Sequence, residues 1–184
     1  MSTVLRQYLK LRPQIGQRVM LDPTSIVIGD VKLADDVSIW PLVVIRGDVN
    51  YISIGTRTNI QDGSILHVTH KSPNNSNGFP LIIGEEVTIG HKAILHGCTI
   101  GNRVLIGMGA IVLDGAVIED NVIIGAASLI PPGKTLESGY LYIGSPAKQV
   151  RKLKSEELEG LLYSANNYVR WKDDYLADTS EGKE

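Results

Sequence analysis

An aliphatic residue recurs every six positions along most of this 184-residue chain. The series runs Ile15, Leu21, Val27, Leu33, Ile39, Ile45. It resumes as Ile54, Ile60, Leu66, again as Ile83, Ile89, Leu95, and finishes as Ile100, Ile106, Val112, Ile118, Ile124, Ile130. Four positions after each, the residue is small or β-branched almost throughout, as at Ser25, Val43, Thr58, Ser64, Ala93, Ala110 and Ala116. Glycine often follows the aliphatic residue directly, as in Ile54-Gly55, Ile83-Gly84 and Ile106-Gly107. Neither the 3.6-residue period of a helix nor the two-residue alternation of a half-buried strand yields a period of six. A coil with three short flat strands per turn does. The aliphatic residue fills the axis, the small residue sits near a corner, and the glycine relieves the bend. Each coil of about 18 residues buries its aliphatics only against its neighbours, so stability runs cooperatively along the stack. At about 4.8 Å per step, roughly six coils make a prism about 30 Å tall.

Composition fits such a narrow core. The chain has 21 Ile, 16 Val, 19 Leu and 19 Gly, against 7 Tyr, 2 Trp and a single Phe. The balance of 18 Lys+Arg and 20 Asp+Glu, a net charge of -2, lacks the basic field that phosphate neutralisation needs, which argues against nucleic-acid binding. The single Cys98 excludes an intramolecular disulfide framework and a cysteine zinc cluster. Residues 1–13 hold no apolar signal-peptide core, and no uncharged apolar run approaches the roughly 18 residues of a membrane span. A soluble cytoplasmic protein is expected.

The register breaks after Val49, between Leu66 and Ile83, and between Leu95 and Ile100. The second break holds the Pro/Asn/Ser/Gly-rich stretch His70–Pro80, an excursion loop near 69–81. Loops on a rigid scaffold are favoured places for function. Past Tyr142 the repeat fades. The expected organisation is an N-terminal segment over 1–14, a β-helix over 15–143, a turn or linker over 144–154, an amphipathic α-helix over 155–177 folded back along the prism, and a flexible tail over 178–184. Ser155 reads as the helix N-cap, with Glu156 and Glu157 in the first turn.

All four histidines fall between positions 67 and 96. If the excursion returns in register, Ile45, Leu66 and Leu95 share one face. Arg46, His67 and His96 then follow them in a vertical column, about 4.8 Å per step. His91 lies round a corner on another face, stacked beside Asp62, with Gln61 next to it. The column reads as a shared metal site or as a hydrogen-bonded imidazole ladder. Arg46 and Asp48 read as a functional pair or a surface ion pair, Asn59 as a pocket residue or a corner residue, and His70 as a solvated loop residue. Three neutral imidazoles leave one open position on zinc, the pattern of catalytic sites. Because His91 lies round a corner from the other two, a symmetric homotrimer would supply it from a neighbour.

Arg46-Gly-Asp48, Asn59-Ile-Gln-Asp62, His67 and Gly90-His91-Lys-Ala-Ile-Leu-His96-Gly-Cys98 together resemble the gamma-class carbonic anhydrases and their bacterial relatives. Gly107-Met-Gly-Ala110 and Gly144-Ser-Pro-Ala-Lys148 belong to the same pattern, and the resemblance runs from about residue 10 to the C-terminal helix. It implies an all-β, left-handed parallel β-helix with the C-terminal α-helix packed along it, assembled as a homotrimer with metal sites at the interfaces. His67 and His96 of one subunit and His91 of the next would bind Zn2+, or Fe2+ or Co2+. Arg46 and Asp48 resemble a pair that joins subunits. Gln61 resembles the residue that hydrogen-bonds the metal's water, with Asn59 and Asp62 nearby, and Tyr163 and Asn167 would reach the site from the helix. The implied reaction is reversible hydration of CO2 to bicarbonate by metal-activated hydroxide. The best-studied active members carry glutamates where this chain has Val49 and Val68-Thr69-His70, so low activity for want of an acidic proton shuttle is expected. The competing readings are a non-catalytic metal-binding trimeric scaffold and a hexapeptide-repeat acyltransferase with one histidine as general base.

Overall fold

The computed structural model describes residues 4–181. Residues 1–3 of the expected N-terminal segment and 182–184 of the expected tail lie outside it. The body is a parallel β-solenoid of about eight turns, followed by one helix, α1, Ser155–Glu181. The axis is built as the hexads require. Leu21, Ile39, Ile60, Ile89, Ile106 and Ile124 stack as direct partners along one wall. Val27, Ile45, Leu66, Leu95, Val112 and Ile130 stack along a second. Leu33, Ile54, Ile83, Ile100, Ile118 and Leu136 stack along the third. All but Leu21 are buried, and each such side chain contributes about 1.5–3 kcal/mol on removal from water. Because Ile54 pairs with Ile83, the excursion returns in register.

The structure corrects the expected role of glycine. The bend is taken three positions after the aliphatic residue, where φ is positive whether the residue is Asp36 (58°), Lys92 (58°), Arg103 (51°) or glycine, as at Gly63 and Gly109. Glycine directly after the aliphatic residue answers a different demand. A Cβ on Gly107 would lie 2.4 Å from the Ala126 nitrogen, so the backbones of adjacent coils stand too close there for a side chain.

The solenoid exceeds the expected six coils because both ends are extended. Leu5–Arg6 pairs with Val27 and Ile28. At the other end Tyr142 takes the axial position above Ile124. A ring fits there because the stack stops; its hydroxyl accepts the Glu137 N–H (2.8 Å) and donates to Gln149 Oε1 (3.0 Å). The stretch expected as a linker over 144–154 instead forms a hairpin, Tyr140–Gly144 with Ala147–Lys152 antiparallel, which covers the last strand edge.

Helix α1 lies across the strands Met20–Leu21, Ser38–Ile39, Asn59–Ile60 and Thr88–Ile89 and buries Leu161, Ala165 and Lys172. Its cap is Lys154, not Ser155: the Lys154 carbonyl accepts from the Glu157 and Leu158 N–H groups, and Glu157 returns a carboxylate to the Lys154 N–H (2.9 Å). Arg151 and that N–H hold the Glu157 carboxyl at about 2. The fully buried Lys172 ammonium donates to Asp36 Oδ1 (3.0 Å), the Arg18 carbonyl (3.1 Å) and Asp173. The helix continues to Glu181, past the expected end at 177. Among the described residues no helix is long and apolar enough to cross a membrane.

Candidate metal centre

The strands Ile65–His67 and Ile94–His96 run side by side with His67 and His96 as direct partners. Their Nδ1 and Nε2 atoms face each other at 3.1 Å. Each ring spends its other nitrogen on a carboxylate: His67 Nε2 lies 3.1 Å from Asp48 Oδ1, and His96 Nδ1 lies 2.6 Å from Asp114 Oδ1. Asp48 is itself gripped by Arg46 Nη1 at 2.6 Å, and Asp114 accepts the Thr69 hydroxyl at 2.7 Å. Burial pushes the Asp48 carboxyl up, but hydrogen bonds from Arg46 and His67 outweigh it and hold it below its usual range.

With a proton on each carboxylate-facing nitrogen, both inward nitrogens have a lone pair to offer to one ion; with a proton on one of them, the rings hydrogen-bond to each other instead. Burial lowers the His67 pKa, and Arg46 and His96 add to that against the opposing pull of Asp48, so an extra proton between the rings is disfavoured. Two neutral imidazoles with converging lone pairs fit a divalent cation that prefers nitrogen donors. Carboxylates on the outer nitrogens are the usual support of such ligands.

His91 follows the strand Thr88–Ile89 in the other sheet, and its Nδ1 lies 2.9 Å from Asp62 Oδ2. It repeats the arrangement of the other two: one nitrogen on a carboxylate, Nε2 left over. Among the described residues no three His, Cys, Asp or Glu of one chain converge as a metal cage.

Asn59 and Gln61, on the wall that carries His91, are buried. Gln61 Nε2 donates to Asn59 Oδ1 (3.1 Å), Asn59 Nδ2 donates to Thr88 Oγ1 (3.1 Å), and the Thr88 hydroxyl meets that of Ser164 on α1 (3.0 Å). This chain of bonds fixes the amide of Gln61 beside His91 in a cleft of about 410 Å³ that Ser164 and Tyr168 close from the helix. A second cleft, also about 410 Å³, lies on the other side of His91 between Trp40 and the C-terminal half of α1. Tyr163 is 68% exposed and lines neither cleft, and Asn167 accepts from Arg170 instead. Within one chain the helix residues beside His91 are Ser164 and Tyr168, each one residue further along. His70 is exposed in the excursion, and Cys98 is buried with its thiol pKa pushed up by that burial.

Asp114 and Thr69 are not among the residues expected at the site. Asp114 stands two positions after Val112, one coil beyond His96, where stacking on Leu95 could have revealed it.

A family model described as bacterial transferase hexapeptide (six repeats) matches residues 97–132. The chain is 74% identical over 176 residues, 96% of each chain, to protein YrdA of Escherichia coli (strain K12). It is 40% identical over 172 residues, 94% of this chain and 62% of the relative, to gamma carbonic anhydrase 2, mitochondrial, of Arabidopsis thaliana. A solved hexapeptide transferase family protein from Anaplasma phagocytophilum shares the fold with a TM-score of 0.88 at 39% identity, covering 95% of this chain and 99% of that one. With its hexad solenoid, its helix and its paired histidines, the chain belongs to the gamma-carbonic-anhydrase-like family of hexapeptide-repeat proteins.

Proposed function

We propose that this chain is a carbonic-anhydrase-type lyase that hydrates CO2 reversibly, with a divalent metal held between the subunits of a homotrimer. His67 and His96 of one subunit and His91 of the next would hold it, with Zn2+ first and Fe2+ or Co2+ as alternatives. The observation that carries the reading is the shared design of the three histidines, each with one nitrogen on a carboxylate and the other presented, divided two and one between two walls. A zinc ion with three neutral imidazoles lowers the pKa of water to about 7 and so supplies the nucleophile for CO2.

The protein's own part is positioning. Asp48, Asp62 and Asp114 fix the rings and their tautomers. Gln61, held by Asn59, offers a hydrogen bond to the reacting water. Arg46 holds Asp48 and would reach across to the neighbouring subunit. Each hydration releases one proton, and Val49 and Val68-Thr69-His70 provide no carboxylate to pass it on, so buffer takes it and turnover is slow.

Stopped-flow CO2 hydration by zinc-loaded protein, compared with His91→Ala, tests the reading. Activity that needs all three histidines and rises with buffer concentration supports it. Activity that survives their loss refutes it. Full zinc with no hydration favours the trimeric scaffold. Acyl transfer from an acyl-CoA would favour the third reading, which needs a histidine free to act as base.

A further inference from the structure

The excursion leaves the solenoid just past His67 and rejoins it at Leu81. From His70 to Asn77 it offers one proline and no other apolar side chain. Ordering so polar a loop costs backbone entropy, so it needs an anchor. The anchor is Phe79, the chain's single phenylalanine. Its ring lies over two glycines at the corner past His96. A Cβ on Gly97 would stand 2.7 Å from Phe79 Cβ, and one on Gly115 would stand 2.9 Å from Phe79 Cε1. The two glycines stack on successive coils: the Gly115 N–H donates to the Gly97 carbonyl (2.7 Å), and the Gly97 N–H donates to that of His67 (3.0 Å). A side chain at either glycine would fill the seat of the ring.

Phe79 in turn holds Thr69. The two residues exchange both backbone hydrogen bonds, each 3.0 Å long. From the other side Asn50 Nδ2 donates to the carbonyls of Thr69 (3.0 Å) and Asn77 (2.8 Å), which clips the two ends of the excursion together. Thr69 is thereby fixed where its hydroxyl donates to Asp114 Oδ2 (2.7 Å), while Asp114 Oδ1 lies 2.6 Å from His96 Nδ1. An ionised carboxylate only accepts, so His96 Nδ1 carries the proton and Nε2 is the presented atom. The corner serves this contact too, because a Cβ on Gly97 would stand 2.4 Å from Asp114 Oδ1.

We infer that Phe79 is a positioning residue of the metal centre. Seated on Gly97 and Gly115, it keeps Thr69 on Asp114 and, through that carboxylate, sets the tautomer and orientation of His96. For its effect on a bound ion this role rests on the metal reading; its effect on the His96 ring does not.

Ring-nitrogen chemical shifts of the full-length, metal-stripped protein, recorded by NMR at slightly alkaline pH, read the tautomer. Wild-type His96 should be in the Nδ1-protonated form, and Phe79→Ala should move it toward a mixture of both forms. Ile118→Val, a truncation in the core of the third wall, should lower stability and leave the His96 shifts alone. Phe79→Leu keeps an apolar anchor and replaces the alanine variant if that does not fold, with a smaller change in the same direction. On zinc, Phe79→Ala should weaken binding about three- to tenfold, and adding it to Thr69→Val should cost nothing beyond Thr69→Val alone. The inference is overturned by wild-type His96 in the other tautomer, by unchanged His96 shifts in whichever Phe79 variant folds, or by zinc losses that add in the double variant. Wild-type protein that takes up no zinc sinks the metal reading and leaves the His96 shifts to decide the role of Phe79.

Discussion

His67 Nδ1 and His96 Nε2 stand 3.1 Å apart on adjacent coils. Register produces this contact: the two residues are direct strand partners, and both follow a leucine that is locked into the axis. Their outer nitrogens rest on Asp48 and Asp114. The fold alone therefore orientates the pair.

Asp114→Asn should weaken zinc binding about 10- to 100-fold. It removes the carboxylate charge and leaves a single acceptor oxygen for His96 and Thr69, which now use one oxygen each. Competition with a chromophoric chelator measures the affinity, and an unchanged melting temperature shows that the fold is kept. Thr69→Val should produce a smaller loss in the same direction.

Arg46→Ala should separate assembly from folding. Its partner Asp48 lies two residues away and the Arg46 side chain is 43% exposed, so within one chain the pair is worth at most about 1 kcal/mol. Sedimentation should show a weakened trimer, while the thermal transition of the dissociated chain barely moves. Unchanged assembly would remove Arg46 from the interface.

The latch between α1 and the solenoid should be acid-sensitive. The Arg18 hydrogen bond, helped by Lys172 and opposed by burial, holds the Asp36 carboxyl below its usual 3.8. A carboxylate with a lowered folded pKa stabilises the fold fully above the unfolded value and loses that contribution as pH falls through the folded one. Asp36→Asn should therefore cost about 3 kcal/mol near pH 7, because it leaves Lys172 buried with less compensation. Its deficit relative to wild type should vanish in strong acid. Denaturant titrations at a series of pH values measure both.

Two glycines should respond in opposite directions to alanine. On Gly107 a methyl would strike backbone atoms of the next coil at 2.4–2.7 Å, which cannot yield. On Gly160, within α1, nothing lies within 4 Å. Gly107→Ala should lower stability by about 1–3 kcal/mol through overpacking, and Gly160→Ala should raise it by about 1 kcal/mol through helix propensity. Chemical denaturation reads both.

The hexads made the axis and the histidine column readable from the sequence, because a period of six assigns every aliphatic residue a wall and a neighbour. The pairing of Asp62 with His91 followed from the same arithmetic. Glycine was harder to read, because the six-residue pattern shows where it stands but not whether φ or close approach demands it. The hairpin over 140–152 lay beyond the repeat, where Tyr142 replaces the aliphatic signal and antiparallel pairing has no six-residue mark. Asp114 escaped because it lies one coil past the last histidine. Ser164 and Tyr168 were not read from the sequence, because helical spacing leaves the rotation of α1 on the solenoid open by one residue.

The central claim is that one metal site draws ligands from two chains, and mixed trimers test it most directly. His91→Ala and His67→Ala proteins are each expected to hold no zinc above trace. A site is intact when the chain giving His67 and His96 is the His91→Ala protein and the chain giving His91 is the His67→Ala protein. After the two are dissociated, mixed in equal amounts and reassembled, random trimers should recover about a quarter of the wild-type zinc content. Recovery near that level supports a shared site. No recovery in trimers proven to be mixed, or full zinc in either variant alone, contradicts it.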